Sequence, residues 1–273
     1  MSDRAARTNG PGRVLRVSRR VAVGAATLAS LLVLWWVLTM VSGTINTGRF
    51  PSPEDVWLAA RQVTVRGYAN GQLHVHVLHS LKLVAMGFTF AILVGLPLGL
   101  LMGWSRRAEA LLNPIFLLIR PIPPLAWIPL AILWLGLGDA AKIMVIFFAA
   151  FVPSVINAYT GVRTIPTPIV EAARMLGTPA VPLVRDVLVP GAMPSIFTGL
   201  RLSLQASWTT LVAAELVGAV AGLGRILNVA QQDLYPGMIL FAMVWVAILG
   251  FATTALLGWV ERRALPWLNV RPA

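Results

Sequence analysis

Long apolar stretches separated by short polar and charged segments set the pattern of this chain. The first, Val21 to Val41, carries no charge and is long enough to cross ~30 Å of hydrocarbon as a helix. A cleaved signal peptide would have a shorter apolar region ending in small residues, which Trp35-Trp36 fits poorly, so a retained helix is expected. Leu81 to Trp104 is the second stretch, closed by Ser105-Arg106-Arg107. The third, about Leu112 to Leu135, is interrupted by Pro121, Pro123, Pro124 and Pro129. A tight turn at Gly136-Leu137-Gly138-Asp139 leads into the fourth, about Ala141 to Val162. The fifth is expected from near Ser195 to near Ala219, and the sixth from Met238 to Val260, ended by Glu261-Arg262-Arg263. Between the first two, Phe50-Pro51-Ser52-Pro53-Glu54-Asp55 reads as a loop entering a helix, with Ser52 or a neighbour as cap. Trp57, Leu58 and Val63 then suggest a short amphipathic helix lying at the membrane surface.

This pattern predicts an all-α integral membrane protein with six transmembrane helices. Residues 1–20, rich in arginine with Gly10, Pro11 and Gly12, are expected to form a disordered basic arm, and 21–43 the first span. Residues 44–79 form a periplasmic segment, 80–263 a core of five spans with a cytoplasmic loop at 163–193, and 264–273 a tail.

Composition agrees. Hydrophobic residues make up 58% of the chain, mean hydropathy is +0.79 and only 12% of residues are charged, about half the usual share in a soluble domain. The net charge of +12 raises the question of nucleic acid, but that needs a basic face on a soluble fold. Here the arginines lie between apolar runs, so no nucleic-acid partner is expected; membrane lipid is. Their distribution orients the chain. One set of segments holds the arm arginines, Arg106, Arg107, Arg163, Arg174, Arg185, Arg262, Arg263 and Arg271. The other holds Arg49, Arg61, Arg66 and Arg225, with Lys82 and Lys142 near helix ends. Both termini and the 163–193 loop are therefore expected in the cytoplasm.

Several chemistries are excluded. There is no cysteine, hence no disulfide framework or thiolate metal site. His74, His76 and His79 stand at one span edge without nearby carboxylates and read as an interfacial polar cluster rather than a metal site. A phosphate-binding loop ends in Gly-Lys-Ser/Thr, whereas Lys82 follows Leu81 and Lys142 follows Ala141. ATP cannot be bound that way here. An intramembrane hydrolase would need a nucleophile with a base or metal ligands. An ion-coupled transporter would show mid-membrane acids and internal repeats. Neither pattern is present.

The loop reads Glu171-Ala172-Ala173-Arg174-Met175-Leu176-Gly177, nine further residues, then Val187-Leu188-Val189-Pro190. A short helix should end at Gly177, and a second, Pro182 to Leu188, should be stopped by Pro190. The spacing resembles the EAA motif of bacterial ABC-importer permeases. Segments along most of the chain beyond residue 50 are similar to permeases for taurine, alkanesulfonates, nitrate and related anions. They include Pro51-Ser52-Pro53, Gly95-Leu96-Pro97-Leu98-Gly99, Arg120-Pro121-Ile122-Pro123-Pro124-Leu125-Ala126-Trp127-Ile128-Pro129, Trp208 to Leu216, Gly222-Leu223-Gly224 and Pro266-Trp267. The resemblance implies a type I ABC-importer permease fold in a bacterial cytoplasmic membrane, working as a homodimer. It implies two ATPase subunits that carry the ATP and Mg, and a periplasmic or lipid-anchored substrate-binding protein. No cofactor belongs to this chain. The loop would be the coupling elbow that docks the ATPase, through Glu171, Ala172, Ala173, Gly177 and Pro190. The cargo implied is taurine or another aliphatic sulfonate, with nitrate, bicarbonate or a pyrimidine precursor as alternatives.

Two further features bear on transport. Pro121, Pro123 and Pro124 must break or kink the third span, as a pathway-lining hinge or as a static kink. The fifth span carries Ser203, Gln205, Ser207, Thr209, Thr210 and Glu215, which either bond neighbouring helices or line a wet path. Helical spacing puts Ser203, Ser207 and Thr210 on one face and Gln205 and Thr209 on an adjacent one. Glu215 reads as a gate or as a partner of Arg225 or a lysine, since a carboxylate repels an anionic cargo.

Overall fold

The computed structural model describes residues 12–41 and 50–269. Its helices are α1 (Gly12–Trp36), α2 (Pro53–Arg61), α3 (Leu73–Trp104), α4 (Arg106–Ile119), α5 (Ile128–Leu135), α6 (Asp139–Arg163), α7 (Thr167–Met175), α8 (Ala180–Pro182), α9 (Val189–Leu216), α10 (Leu223–Gln232) and α11 (Pro236–Ala264). Helices α1, α3, α6, the run 180–216 and α11 are long and apolar enough to span a membrane. The sixth is the pair α4 and α5, bent by 83° at the proline break. The proline cluster therefore does what its missing N–H groups predict. A 3₁₀ turn, Pro124–Trp127, restarts the helix after the break.

The core is built from α3, α6 and α9, and small residues bring these helices close. On α3, Gly87, Ala91, Gly95, Gly99 and Gly103 recur every four residues and so share one face. A Cβ on Gly87 would come within 2.5 Å of Ile146, one on Gly95 within 3.0 Å of Ser154, and one on Gly99 within 2.5 Å of the Val155 carbonyl. On α9, a Cβ at Gly199 would meet Asn157 at 2.5 Å. Lipid tails give no hydrophobic push between apolar helices, so close backbone approach carries the association.

Three boundaries differ from the sequence reading. The helix containing the first span starts at Gly12, so the C-terminal part of the expected basic arm is helical, as arginine, leucine and valine between prolines and glycines permit. The arm's residues 1–11, the 42–49 part of the first loop and the last residues of the tail, 270–273, lie outside the described residues. The second span begins at Leu73 rather than Leu81, because His76, which read as an interfacial edge, is buried and hydrogen-bonded inside the helix. The third difference concerns Pro190, in the loop described next.

Candidate functional site

The loop between the fourth and fifth spans forms two short helical arms. α7 starts behind Pro166 and ends at Gly177, whose φ of +73° is the left-handed conformation. The Gly177 N–H donates to the Arg174 carbonyl at 2.9 Å and the Thr178 N–H to the Ala173 carbonyl at 3.2 Å. This paired closure satisfies carbonyls that the helix end leaves free. Glu171, Ala172 and Gly177 are exposed and Ala173 is half-buried. The tip presents bare apolar side chains: Met175 is 87% exposed, Leu176 86% and Val181 75%.

Pro190 does not stop the second arm, contrary to expectation. α8, a π-helical stretch Leu183–Leu188 and α9 run on without a gap, and Pro190 lies in the first turn of α9. In the wider π turns the Val189 N–H reaches back to the Val184 carbonyl, and the proline, with no N–H to place, starts the regular helix. The second arm is thus one rod with the fifth span.

Along that span the two polar faces separate. Ser203, Ser207 and Thr210 are buried. Ser203 Oγ lies 2.8 Å from Ser154 Oγ and donates to the Ala150 carbonyl at 2.7 Å, and Ser207 donates to the Ser203 carbonyl at 2.8 Å. Ser203 therefore joins α9 to α6, while Ser207 bonds back to the backbone of α9 itself. Gln205 and Thr209 are exposed, in line with Thr198 and Arg201, along an open face of the helix.

Glu215 is fully buried in the last turn of α9. Its expected partner, Arg225 or a lysine, is not its partner. Among the described residues it forms no ion pair, and Lys142 is paired with Asp139 instead, at 3.6 Å. The carboxylate caps α10: Gly224 N–H donates to Oε2 at 2.7 Å, and Ser80 Oγ donates to Oε1 at 2.8 Å. Ser80 Oγ accepts from the Leu223 N–H at 2.9 Å, and His76 Nδ1 accepts from the Gly222 N–H at 3.0 Å. Three successive orphan amides of one helix start are thus all satisfied, with the carboxyl oxygens of Glu215 placed at the positive end of the α10 dipole. His76 Nε2 is 3.0 Å from the Tyr68 carbonyl, which fixes the Nε2–H tautomer. Ser80 and His76 were not singled out for this role from sequence, because they lie more than a hundred residues from their partners and no local spacing links them. Nearby, Tyr68 donates to Asp233 at 2.6 Å, and burial together with that carboxylate pushes its phenol above its ordinary range. The three histidines do not converge: His74 is exposed, and His79 lies 3.2 Å from Asp139.

On the opposite side, α4 is tied to the end of α6. Glu109 accepts from Tyr159 and from Arg163, the last residue of α6 and four before α7. Arg201 on α9 pairs with Glu261 on α11. Arg120 caps the C-terminus of α4 and is exposed, and at the break Pro121 and Pro123 are exposed and Pro124 half-buried.

Residues 95–266 match the family model described as "Binding-protein-dependent transport system inner membrane component". The chain is 35% identical over 254 residues to the taurine transport system permease protein TauC of Escherichia coli (strain K12), covering 92% of this chain and 91% of that protein. It is 32% identical over 241 residues to the putative aliphatic sulfonates transport permease protein SsuC of Bacillus subtilis (strain 168), covering 88% and 86%. It is also 32% identical over 245 residues to the bicarbonate transport system permease protein CmpB of Synechococcus elongatus, covering 87% of each. Among solved structures, a chain of the inward-facing MetNI methionine ABC transporter aligns with a TM-score of 0.59 at 24% identity, covering 80% of this chain and 99% of that one, which speaks for the fold.

Proposed function

The chain belongs to the binding-protein-dependent transport system inner membrane component family and is a multi-pass permease subunit of a bacterial ABC importer; from that premise we propose that its cargo is a small anion, taurine or another aliphatic sulfonate. The similarity to TauC and SsuC supports this reading, and bicarbonate, by the similarity to CmpB, is the second. The relatives are transport permeases rather than enzymes, and we assign ATP, Mg and hydrolysis to separate ATPase subunits.

The observation that carries the docking assignment is the tip of the 163–193 loop. Met175, Leu176 and Val181 stand bare in solvent at the end of a well-capped elbow. Apolar tips rimmed by polar residues mark interaction sites. Glu171, Ala172, Ala173 and Gly177 shape the first arm, and Pro190 starts the rod that carries the second arm into the fifth span. With both termini in the cytoplasm, as the arginine distribution supports, this elbow meets the ATPase.

A second copy of the chain completes the pathway. Thr198, Arg201, Gln205 and Thr209 lie on an open face of a membrane helix, where exposure to lipid is costly. Pairing two copies across this face encloses a polar route. Gln205 and Thr209 then line it beside the break at Pro121, Pro123 and Pro124. Ser203, Ser207 and Thr210 hold the wall from behind, and Glu215 holds the outer helix rather than the cargo. ATP binding closes the ATPase pair and moves the elbows. The α8–α9 rod carries the motion to the fifth span, and the Arg163–Glu109 pair carries it to the third.

Replacing Glu171 and Gly177 with alanine should abolish co-purification of the ATPase or uptake of radiolabelled taurine while the permease still inserts. Unchanged co-purification and uptake overturn the docking assignment. For the cargo, a deletion strain should fail to grow on taurine as sole sulfur source. Normal growth there, with nitrate or bicarbonate use lost, reassigns it.

A further inference from the structure

The outer side of the chain is poor in cations, yet two of its arginines share one pocket. Leu58, Arg61, Gln62, Val65 and Arg66, with Tyr235 from the start of α11, line an open pocket of about 380 Å³. Neither guanidinium has an ion-pair partner among the described residues. Of the carboxylates on the adjoining segments, Glu54 in the first turn of α2 has no ion pair among the described residues, and the other two are engaged elsewhere. Asp55 closes the capping box of α2 with Ser52, and Asp233 accepts from Tyr68. The α2 segment also has two faces. Ala59 and Val63 are fully buried in the core, whereas Trp57, Leu58 and Val65 are 66%, 51% and 72% exposed.

We propose that this pocket seats the phosphate of an anionic phospholipid in the outer leaflet, with its acyl chains against Trp57, Leu58 and Val65. A guanidinium matches phosphate geometry through paired N–H donors. Exposed tryptophan and aliphatic side chains on a short helix packed at the ends of spans are the chemistry of the membrane interface. A free small anion would leave the apolar walls without a role. The leaflet rests on the orientation proposed above; the lipid chemistry does not.

The test uses the permease purified with its ATPase and reconstituted in nanodiscs of phosphatidylcholine with or without phosphatidylglycerol. Native mass spectrometry should find phosphatidylglycerol retained in preference to phosphatidylcholine. Arg61→Gln with Arg66→Gln should lower that preference by about tenfold or more, the loss of at least one charge-assisted contact. Arg61→Lys with Arg66→Lys should keep part of it. Both arginines are exposed and unpaired, so melting in pure phosphatidylcholine should be unchanged and separates lipid loss from misfolding. Equal retention by the wild type and the glutamine variant overturns the proposal. So does displacement of the lipid by millimolar inorganic phosphate, which would mark a free-anion site. Loss of binding-protein stimulation by that variant in pure phosphatidylcholine would assign the pocket to a protein partner and likewise overturn it. Orientation is read separately. The chain has no cysteine, so Thr64→Cys should react with an impermeant maleimide in intact spheroplasts. Reaction only after lysis would reverse the leaflet without touching the lipid result.

Discussion

Ser80 donates its hydroxyl hydrogen to Glu215 Oε1 at 2.8 Å, joining the second span to the fifth across a sequence separation of 135 residues. The same hydroxyl accepts from the Leu223 amide, so one small side chain bridges two membrane helices and the start of α10. The only fully buried acidic group among the described residues is therefore held by neutral donors, and this changes what its substitution should do.

Glu215→Gln keeps an oxygen for the Gly224 amide and can donate its NH2 to Ser80 Oγ, leaving only the Ser80 hydroxyl hydrogen without its acceptor, whereas Glu215→Ala strands both donors. Each buried group left unpaired costs about 1–3 kcal/mol. Thermal melting of the detergent-solubilised protein should drop further for the alanine variant than for the glutamine one. Equal damage from the two would mean that the charge itself is required.

The close approach of α3 to α6 sets the second expectation. Gly99→Val would push a side chain to 2.5 Å from the Val155 carbonyl and 2.7 Å from Ala158 Cβ, and backbone cannot yield cheaply there. Folded protein in the membrane should fall sharply. Gly250→Ala meets only Trp208, at 3.9 Å, and should be tolerated. Size-exclusion profiles of the two variants make the comparison.

The two faces of the fifth span should separate in function. Ser203→Val with Ser207→Val removes interhelical and backbone-satisfying hydrogen bonds and should lower the melting temperature. Gln205→Ala with Thr209→Val should leave melting nearly unchanged and alter uptake rate or cargo preference. If the second pair lowers stability as much as the first, the open face is not a pathway.

Glu109 and Arg163 join the third span to the last turn before the elbow. Glu109→Arg alone should retain ATPase co-purification but uncouple hydrolysis from uptake. Combining it with Arg163→Glu should restore part of the coupling, measured as ATP hydrolysed per substrate imported. No restoration in the double variant removes the pair from the transmission route.

How much was legible beforehand varied with the range of the interaction. Gly177 announced its own role, because a left-handed helix end is a local demand that glycine meets. The prolines of the third span likewise act on their own backbone, so a break was readable, although its 83° angle was not. Pro190 misled for the same reason. Taken alone a proline ends a helix, but a π-helical stretch ahead of it let this one begin the next.

By itself the sequence determined what depends on transfer from water to lipid and on local backbone chemistry. That covers the number and rough position of the spans, the elbow and its capped first arm, and the two polar faces of the fifth helix. Tertiary structure alone decided which face of that helix was used for packing, that Glu215 caps α10 through Ser80 and the Gly224 amide, and that Glu109 meets Arg163 and Tyr159. Apart from the Glu215–Gly224 bond, nine positions apart, these contacts join residues from 50 to 135 positions apart. Their energy depends on how α3, α6 and α9 nest along their small residues, and no local pattern encodes that geometry.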